Sequence, residues 1–364
     1  NKKIMKVSVI GGGHGCYAAA VDLTEKGHEV TLWRRDKDLL KSLQDTKTIS
    51  VLDAKGEREV EPASITDDIE AAIKQASVIV IPLPATTHET LAVLTAKLWQ
   101  DGQVVFLPPG TFGSYIFHKA ARDAGNQADV TFAETGTLPY LARKRDTHLV
   151  AISGYATRLP TGMFPAKNTD YAFALLQQVY PSIEGIEDAL SGALMNAGPI
   201  IHTPLILMNA GPLEHFEKWD IHNEGTQSSI RATTDALDAE RIAIREAFGY
   251  AAPHFPLADH YDAERDEWMY GNVGHEKLHE NRDWCEDISL TTHRYMLEDV
   301  ELGLAFLSSC ADYLQLDCPL TNGLLAIGSA INGRDFKHSG RTLHSLGLDQ
   351  LDRDALKELL HEGL

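Results

Sequence analysis

Cysteine is scarce: Cys16, Cys285, Cys310 and Cys318 are the only four in 364 residues, and none forms a CxxC pair. That scatter excludes a disulfide-stapled scaffold and fits a reducing, cytoplasmic interior. No apolar run approaches the roughly 18 residues that cross a bilayer, so no membrane partner is expected. The opening NKKIMKVSVIGGG has lysines followed by too few apolar residues for a signal-peptide core. It reads as a first β-strand, with Met5 the expected natural start. Basic residues are also in deficit: 33 Lys and Arg against 52 Asp and Glu give a net charge of −19. Phosphate backbones need clustered Lys and Arg, so nucleic acid and anionic membrane surfaces are excluded as partners. A small anionic ligand is not excluded, because local positive charge can oppose the global field. What the chain does have is 43% hydrophobic residues, ample for a core, and a length that suggests two domains.

The first half alternates short apolar runs with helical patterns. KVSVIG, HEVTLWRR, ASVIVIPLP, GQVVFLPPG and VTFAET read as buried strands. CYAAAVDLTEKG, DKDLLKSLQD, HETLAVLTAKL and SYIFHKAARDAG read as the helices between them. This alternation predicts a doubly wound parallel sheet of Rossmann type over residues 1–190.

The loop after the first strand is Gly11-Gly12-Gly13-His14-Gly15-Cys16. It matches GxGxxG except at the last place, where a small cysteine stands. Because it follows a strand and opens a helix, it predicts dinucleotide binding. Glycines let the backbone approach a pyrophosphate, and the helix N-terminus offers unpaired N–H groups. Leu83 and Pro84, closing the third strand, are further cofactor-binding candidates. The end of the second strand separates NAD from NADP. An acidic residue is expected there for a ribose 2′-OH, and this chain has Arg34 and Arg35. Two guanidinium groups suit a 2′-phosphate, which favours NADP, with NAD possible. The alternative is two solvated arginines with Asp36 serving the ribose.

Beyond about Ser191 the strand signals stop. ALDAERIAIREAFG, RYMLEDVELGLAFLSSCADYLQ and PLTNGLLAIGSAING have helical period, predicting an all-helical domain over 191–364. Such a layout places a ligand cleft between the domains. His202 stands in the apolar stretch NAGPIIHTPLIL, and on periodicity alone it reads as a core histidine. Pro199 is expected to open its helix and Pro204 to disturb the backbone beyond. His275-Glu276-Lys277-Leu278-His279 matches HExxH, but the flanking glycines argue for a polar loop, and no metal is expected.

VIGGGHG, VIVIPLPATTHE, PPGTFG, ETGTLPY, MNAGPIIHTP, LDAERIAI, TTHRYMLEDVELGL and GRTLHSLGL together resemble the opine dehydrogenase family of the octopine and nopaline type. The resemblance runs over nearly the whole chain and keeps the motif order. It implies a Rossmann domain followed by a helical domain. It also implies reductive condensation of a 2-oxo acid with an amino acid or amine, using NAD(P)H. By motif it assigns the catalytic histidine to His202, its aspartate partner to Asp299, and a carboxylate-binding arginine to Arg294. Cys16, Arg34 and Gly198 depart from the family pattern, the last beside the histidine, which makes Gly198 a candidate determinant of the substrate.

The chemistry is coherent without the family. Imine reduction needs a hydride and a proton, and histidine exchanges protons near neutral pH. A carboxylate on its other ring nitrogen would fix the tautomer. An arginine fork suits a 2-oxo acid carboxylate. Glu298 and Asp299 are adjacent, so only one can face the histidine. The rival enzyme reading is an NADP-dependent hydroxy-acid dehydrogenase of the ketopantoate or glycerol-3-phosphate type, which would use a lysine. A non-catalytic cofactor sensor would leave His202, Asp299 and Arg294 idle. The expected partners are therefore small molecules, and an exposed face of the helical half is compatible with a homodimer.

Overall fold

The computed structural model describes residues 2–257, 269–270 and 285–364. They form two compact units, the first comprising 1–83, 87–193 and 358–364, the second 84–86 and 194–357. The change of unit thus falls between Ala193 and Leu194. Two short segments also group with the unit opposite to their place in the chain.

The first unit is built on β1 (Lys6–Ile10), β2 (Glu29–Trp33), β3 (Ile49–Asp53), β4 (Gly56–Val60), β5 (Ser64–Thr66), β6 (Val78–Val80), β7 (Val104–Leu107), β8 (Thr131–Thr135), β9 (Tyr140–Lys144), β10 (Leu149–Tyr155), β11 (Leu159–Phe164) and β12 (Ile183–Gly185). Eight strands form one sheet in the order β12-β11-β8-β7-β6-β1-β2-β5. Its pairs are parallel except β8 with β11. Helices α1 (His14–Glu25), α2 (Lys37–Thr46), α3 (Ile69–Lys74), α4 (His88–Thr95), α5 (Gly113–Asp123), α6 (Thr169–Gln177) and α7 (Ala189–Ala193) complete the unit. The central strands are mostly apolar because both faces of a parallel sheet are covered. Strand order reverses at β1, with β2 on one side and β6 on the other, so a switch-point crevice opens at the C-terminal end of β1.

A second sheet, β4-β3-β10-β9, was not legible as periodicity. Its strands carry charges, as in the largely exposed GEREV and the mostly buried YLARK, so the apolar alternation is blurred. Val51, Ala142, Val150 and Ile152 from this sheet pack into the same core as α1. Two motifs of the family resemblance meet at α5: Glu134 of ETGTLPY accepts the N–H groups of Phe112 and Ser114, at 2.8 and 3.1 Å, in and beside PPGTFG.

The second unit is helical: α8 (Gly198–Leu207), α9 (Ala210–His215), α10 (Ser228–Ala247), α11 (Tyr295–Leu304), α12 (Ala305–Leu314), α13 (Pro319–Asn332) and α14 (Phe336–Ser339), followed by α15 (Arg353–Glu362), which runs across the change of unit. Pro199 lies in the first turn of α8 as expected, but the helix continues through Pro204 to Leu207. The stretch Ala189–Leu207 corrects one sequence expectation. It is long and apolar enough by composition to cross a membrane, yet 83% of it is buried inside the protein. That burial marks core helices, and Leu194–Ala197 interrupt them as α7 gives way to α8. The HExxH segment at 275–279 lies outside the described residues.

Candidate active site

At the switch point the chain turns sharply after β1. Gly11 has φ +121°, a conformation side chains rarely adopt, and its N–H donates to Trp33 O at 2.8 Å. A Cβ there would press on the Leu83 side chain, so the structure brings Leu83 to the loop. Pro84 instead groups with the second unit. Gly13 is the N-cap of α1 and provides no side-chain cap. The first N–H groups of α1 are therefore placed as a phosphate would need them. Gly15 packs against Leu138 and Pro82. Cys16, one of the cofactor candidates, is fully buried, its thiol reaching Ile10 O at 3.5 Å and Pro82 O at 3.8 Å. Burial pushes that thiol up to about 12. Its side chain therefore takes the packing role of the third glycine and presents no sulfur to a ligand. His14 opens α1, and its Nδ1 accepts the Lys144 N–H.

Arg34 and Arg35 part company. Arg35 is exposed, whereas Arg34 is 6% exposed and folds over Gly12. Its guanidinium donates to the Tyr17 hydroxyl and lies 5.4 Å from that ring's centre. Among the described residues Arg34 has no carboxylate partner. Asp36, the alternative ribose ligand, is spent on capping α2: Oδ1 accepts the N–H groups of Asp38 and Leu39. A buried cation without a counter-ion, beside a glycine loop and an uncapped helix N-terminus, fits an anionic dinucleotide.

In the second unit, α8 and α11 are pressed together. His202 Nδ1 lies 2.7 Å from Asp299 Oδ2, with the aspartate side chain only 7% exposed and the imidazole 25%. Asp299 faces His202, and Glu298 turns away to accept the Ala85 N–H at 2.7 Å. The Tyr295 ring stacks on the imidazole, centroids 3.8 Å apart and planes at 16°. The Arg294 guanidinium lies 5.4 Å from the Tyr295 ring centre and 3.9 Å from Glu286 Oε1. The segment Tyr295–Leu304 is wound as a π-helix, a rare form that is frequent at functional sites. Tyr295 and Asp299, four residues apart, both reach His202 from it. Gly198 makes the approach possible, because a Cβ there would collide with Asp299 Oδ1. The space over Gly198 is thus filled by the Asp299 carboxylate.

Burial raises Asp299, opposed by the charges of Arg294 and His293. Burial raises Glu298 further, to about 8, aided by the charge of Asp299. Two adjacent carboxyl groups in a dry site cannot both ionise freely. Ala85 is gripped at both polar atoms, since Arg341 donates to its carbonyl at 2.9 Å. Sequence reasoning did not single out Tyr295, Lys144, Tyr17 or the Glu298–Arg341 clamp. Tyr295 had a signal in its four-residue spacing from Asp299. Lys144 had none, lying on the second sheet.

These features define a class: a two-domain dehydrogenase with a dinucleotide loop on a parallel sheet and a partly buried His–Asp pair on a helical unit. Comparison with known proteins narrows it. Residues 185–332 match the family described as NAD/NADP octopine/nopaline dehydrogenase, alpha-helical domain. Residues 6–111 match the NAD-dependent glycerol-3-phosphate dehydrogenase N-terminus. An opine dehydrogenase of Arthrobacter sp. (strain 1C) is 30% identical over 352 residues, covering 94% of this chain and 95% of that one. Octopine dehydrogenase solved with NADH and pyruvate superposes with TM-score 0.71 at 18% identity, over 99% and 98% of the two chains. Yersinopine dehydrogenase with NADP+ bound gives 0.64 at 13% identity, over 99% and 98%. The chain belongs to the opine dehydrogenase family, and is an NAD(P)-dependent oxidoreductase that acts on CH–NH bonds.

Proposed function

We propose that this enzyme joins a 2-oxo acid to the amino group of an amino acid or amine and reduces the resulting imine, with NADPH preferred over NADH. The observation that carries the reading is the His202–Asp299 contact of 2.7 Å on a stacked, half-sheltered imidazole. With Nδ1–H donating to Asp299, Nε2 becomes the atom that gives and takes a proton. Asp299 orients the ring and favours its protonated form. Arg294 serves the carboxylate of the oxo acid, its guanidinium 5.4 Å from the centre of the Tyr295 ring that stacks on His202. The reduced dinucleotide, when bound, supplies the hydride. Arg34 favours a 2′-phosphate, and the occupation of Asp36 in a helix cap supports that preference. The same proposal places the chain in a reducing compartment, consistent with four scattered cysteines and no CxxC pair, and includes assembly as a homodimer, to be checked by light scattering.

The test mixes enzyme and NADPH with panels of 2-oxo acids and amines and follows the reduced cofactor. Oxidation only when both partners are present is the expected result. Oxidation with the oxo acid alone would establish the hydroxy-acid rival. His202→Ala should lower kcat by roughly 10²–10⁴-fold with NADPH binding retained.

A further inference from the structure

Arg34 is not the only cation at the end of β2. Lys144, the last residue of β9 in the second sheet, reaches the same place. Its Nζ donates to Gly12 O at 3.0 Å and lies 5.1 Å from the centre of the Tyr17 ring. Arg34 is 5.4 Å from that same centre and covers Gly12. Two cations thus share one aromatic ring and one glycine. Among the described residues neither forms an ion pair with a carboxylate, although the chain has a large acidic excess. The Lys144 ammonium is held below its ordinary value by burial and then by the charge of Arg34. Like charges drawn together out of water are unfavourable unless an anion lies between them.

We propose that Lys144 is a second ligand of the ribose 2′-phosphate of NADP, so that the cofactor's phosphate is held by Arg34 and Lys144 together over Tyr17. This rests on the NADP reading of Arg34 and deepens it. The charges match: a phosphate monoester carries nearly two negative charges at neutral pH, whereas each phosphorus of a pyrophosphate diester carries one. The position matches too, since the ribose 2′ substituent lies at the end of the second strand, while the α1 N-terminus serves the pyrophosphate. A consequence is that the second sheet, absent from the sequence reading, sets cofactor choice.

The experiment titrates the full-length chain calorimetrically with adenosine 2′,5′-bisphosphate and with 5′-AMP, which differ only in the 2′-phosphate, and then with NADPH and NADH. Lys144→Met keeps the aliphatic stem over Tyr17, and Lys144→Arg keeps the charge. Lys144→Met should weaken the bisphosphate and NADPH by about tenfold or more, as expected for losing one charge-assisted bond, and change 5′-AMP and NADH by less than about threefold. Lys144→Arg should restore most of the difference. Equal weakening of both ligands would show a structural role through Gly12 and overturn the proposal, as would no weakening, with thermal midpoints reporting whether each variant folds. If the wild-type chain does not distinguish the two nucleotides, the NADP reading of Arg34 fails and Lys144 with it. If it does distinguish them and Lys144→Met keeps the full preference, only the Lys144 assignment fails.

Discussion

Gly198 shows what a single residue decides. In sequence it is a departure beside the catalytic motif. In the structure it is the gap through which Asp299 reaches His202. Any side chain there must push the carboxylate away. Gly198→Ala is therefore expected to lower kcat by about the same factor as Asp299→Asn, with cofactor affinity unchanged. The double variant should be no worse than either alone, because residues acting through one contact are non-additive. Additive losses in the double-mutant cycle would separate Gly198 from the His–Asp pair. The histidine itself was legible only through context. A ring in an apolar helix reads as core until a carboxylate and an aromatic face are placed against it, and those lie 97 and 93 positions on by number. Tyr295 could have been found by its spacing; the choice between Glu298 and Asp299 could not, since neighbours on a helix point apart and only packing says which way.

Among the elements, α11 does the most. Its π winding brings Tyr295 and Asp299 to His202, while Glu298 holds the backbone of Ala85. Glu298 is raised from 4.5 to about 8, so the folded chain keeps a proton that the unfolded chain loses between those values. Its contribution is fully present below the lower value and declines as pH rises through the upper one. The thermal midpoint of the wild type should therefore fall relative to Glu298→Gln, which cannot ionise, between about pH 4.5 and about pH 8. Parallel pH curves for the two proteins would refute this. Helix α10 behaves differently. Its LDAERIAI motif resembles a functional signature, yet Arg241 is buried, with Nε 2.6 Å from Asp238 Oδ1 and further bonds to the carbonyls of Leu194, His254 and Phe255. Asp238 in turn accepts the Leu257 N–H at 2.8 Å. The motif staples irregular backbone onto a helix. Arg241→Ala leaves a buried charge and several carbonyls unpaired and should cost about 3–5 kcal/mol in urea unfolding. A change below about 1 kcal/mol would mean that these carbonyls find water instead.

At the scale of the whole molecule, a charge of −19 opposes compaction. Raising salt from about 10 mM to about 150 mM shortens the screening length from about 30 Å to about 8 Å, and the thermal midpoint should rise. A fall would show that local ion pairs outweigh the global repulsion. Much of this architecture was written in the chain. Buried parallel strands are unbroken apolar runs because both faces are covered, and their alternation with helices is enough to predict the doubly wound sheet. The glycine loop and Arg34 were readable because dinucleotide binding demands them about 20 residues apart along one strand–turn–helix unit and the strand after it. The second sheet escaped because its strands are short and charged residues, such as Arg143 and Lys144 in β9, interrupt their apolar pattern. So did the course of Pro204, where surrounding apolar packing carries the helix past a residue that usually breaks it. The sequence by itself determined what is local: which segments form the central parallel strands and the helices between them, where a dinucleotide loop lies, and which residue types could do acid–base work. Only the tertiary structure decided what is distant in the chain: that Asp299 and not Glu298 meets His202, that Gly198 yields space to a carboxylate, and that Lys144 joins Arg34. Periodicity records how each residue relates to its own helix or strand, whereas a site is made by side chains whose meeting is fixed by packing alone.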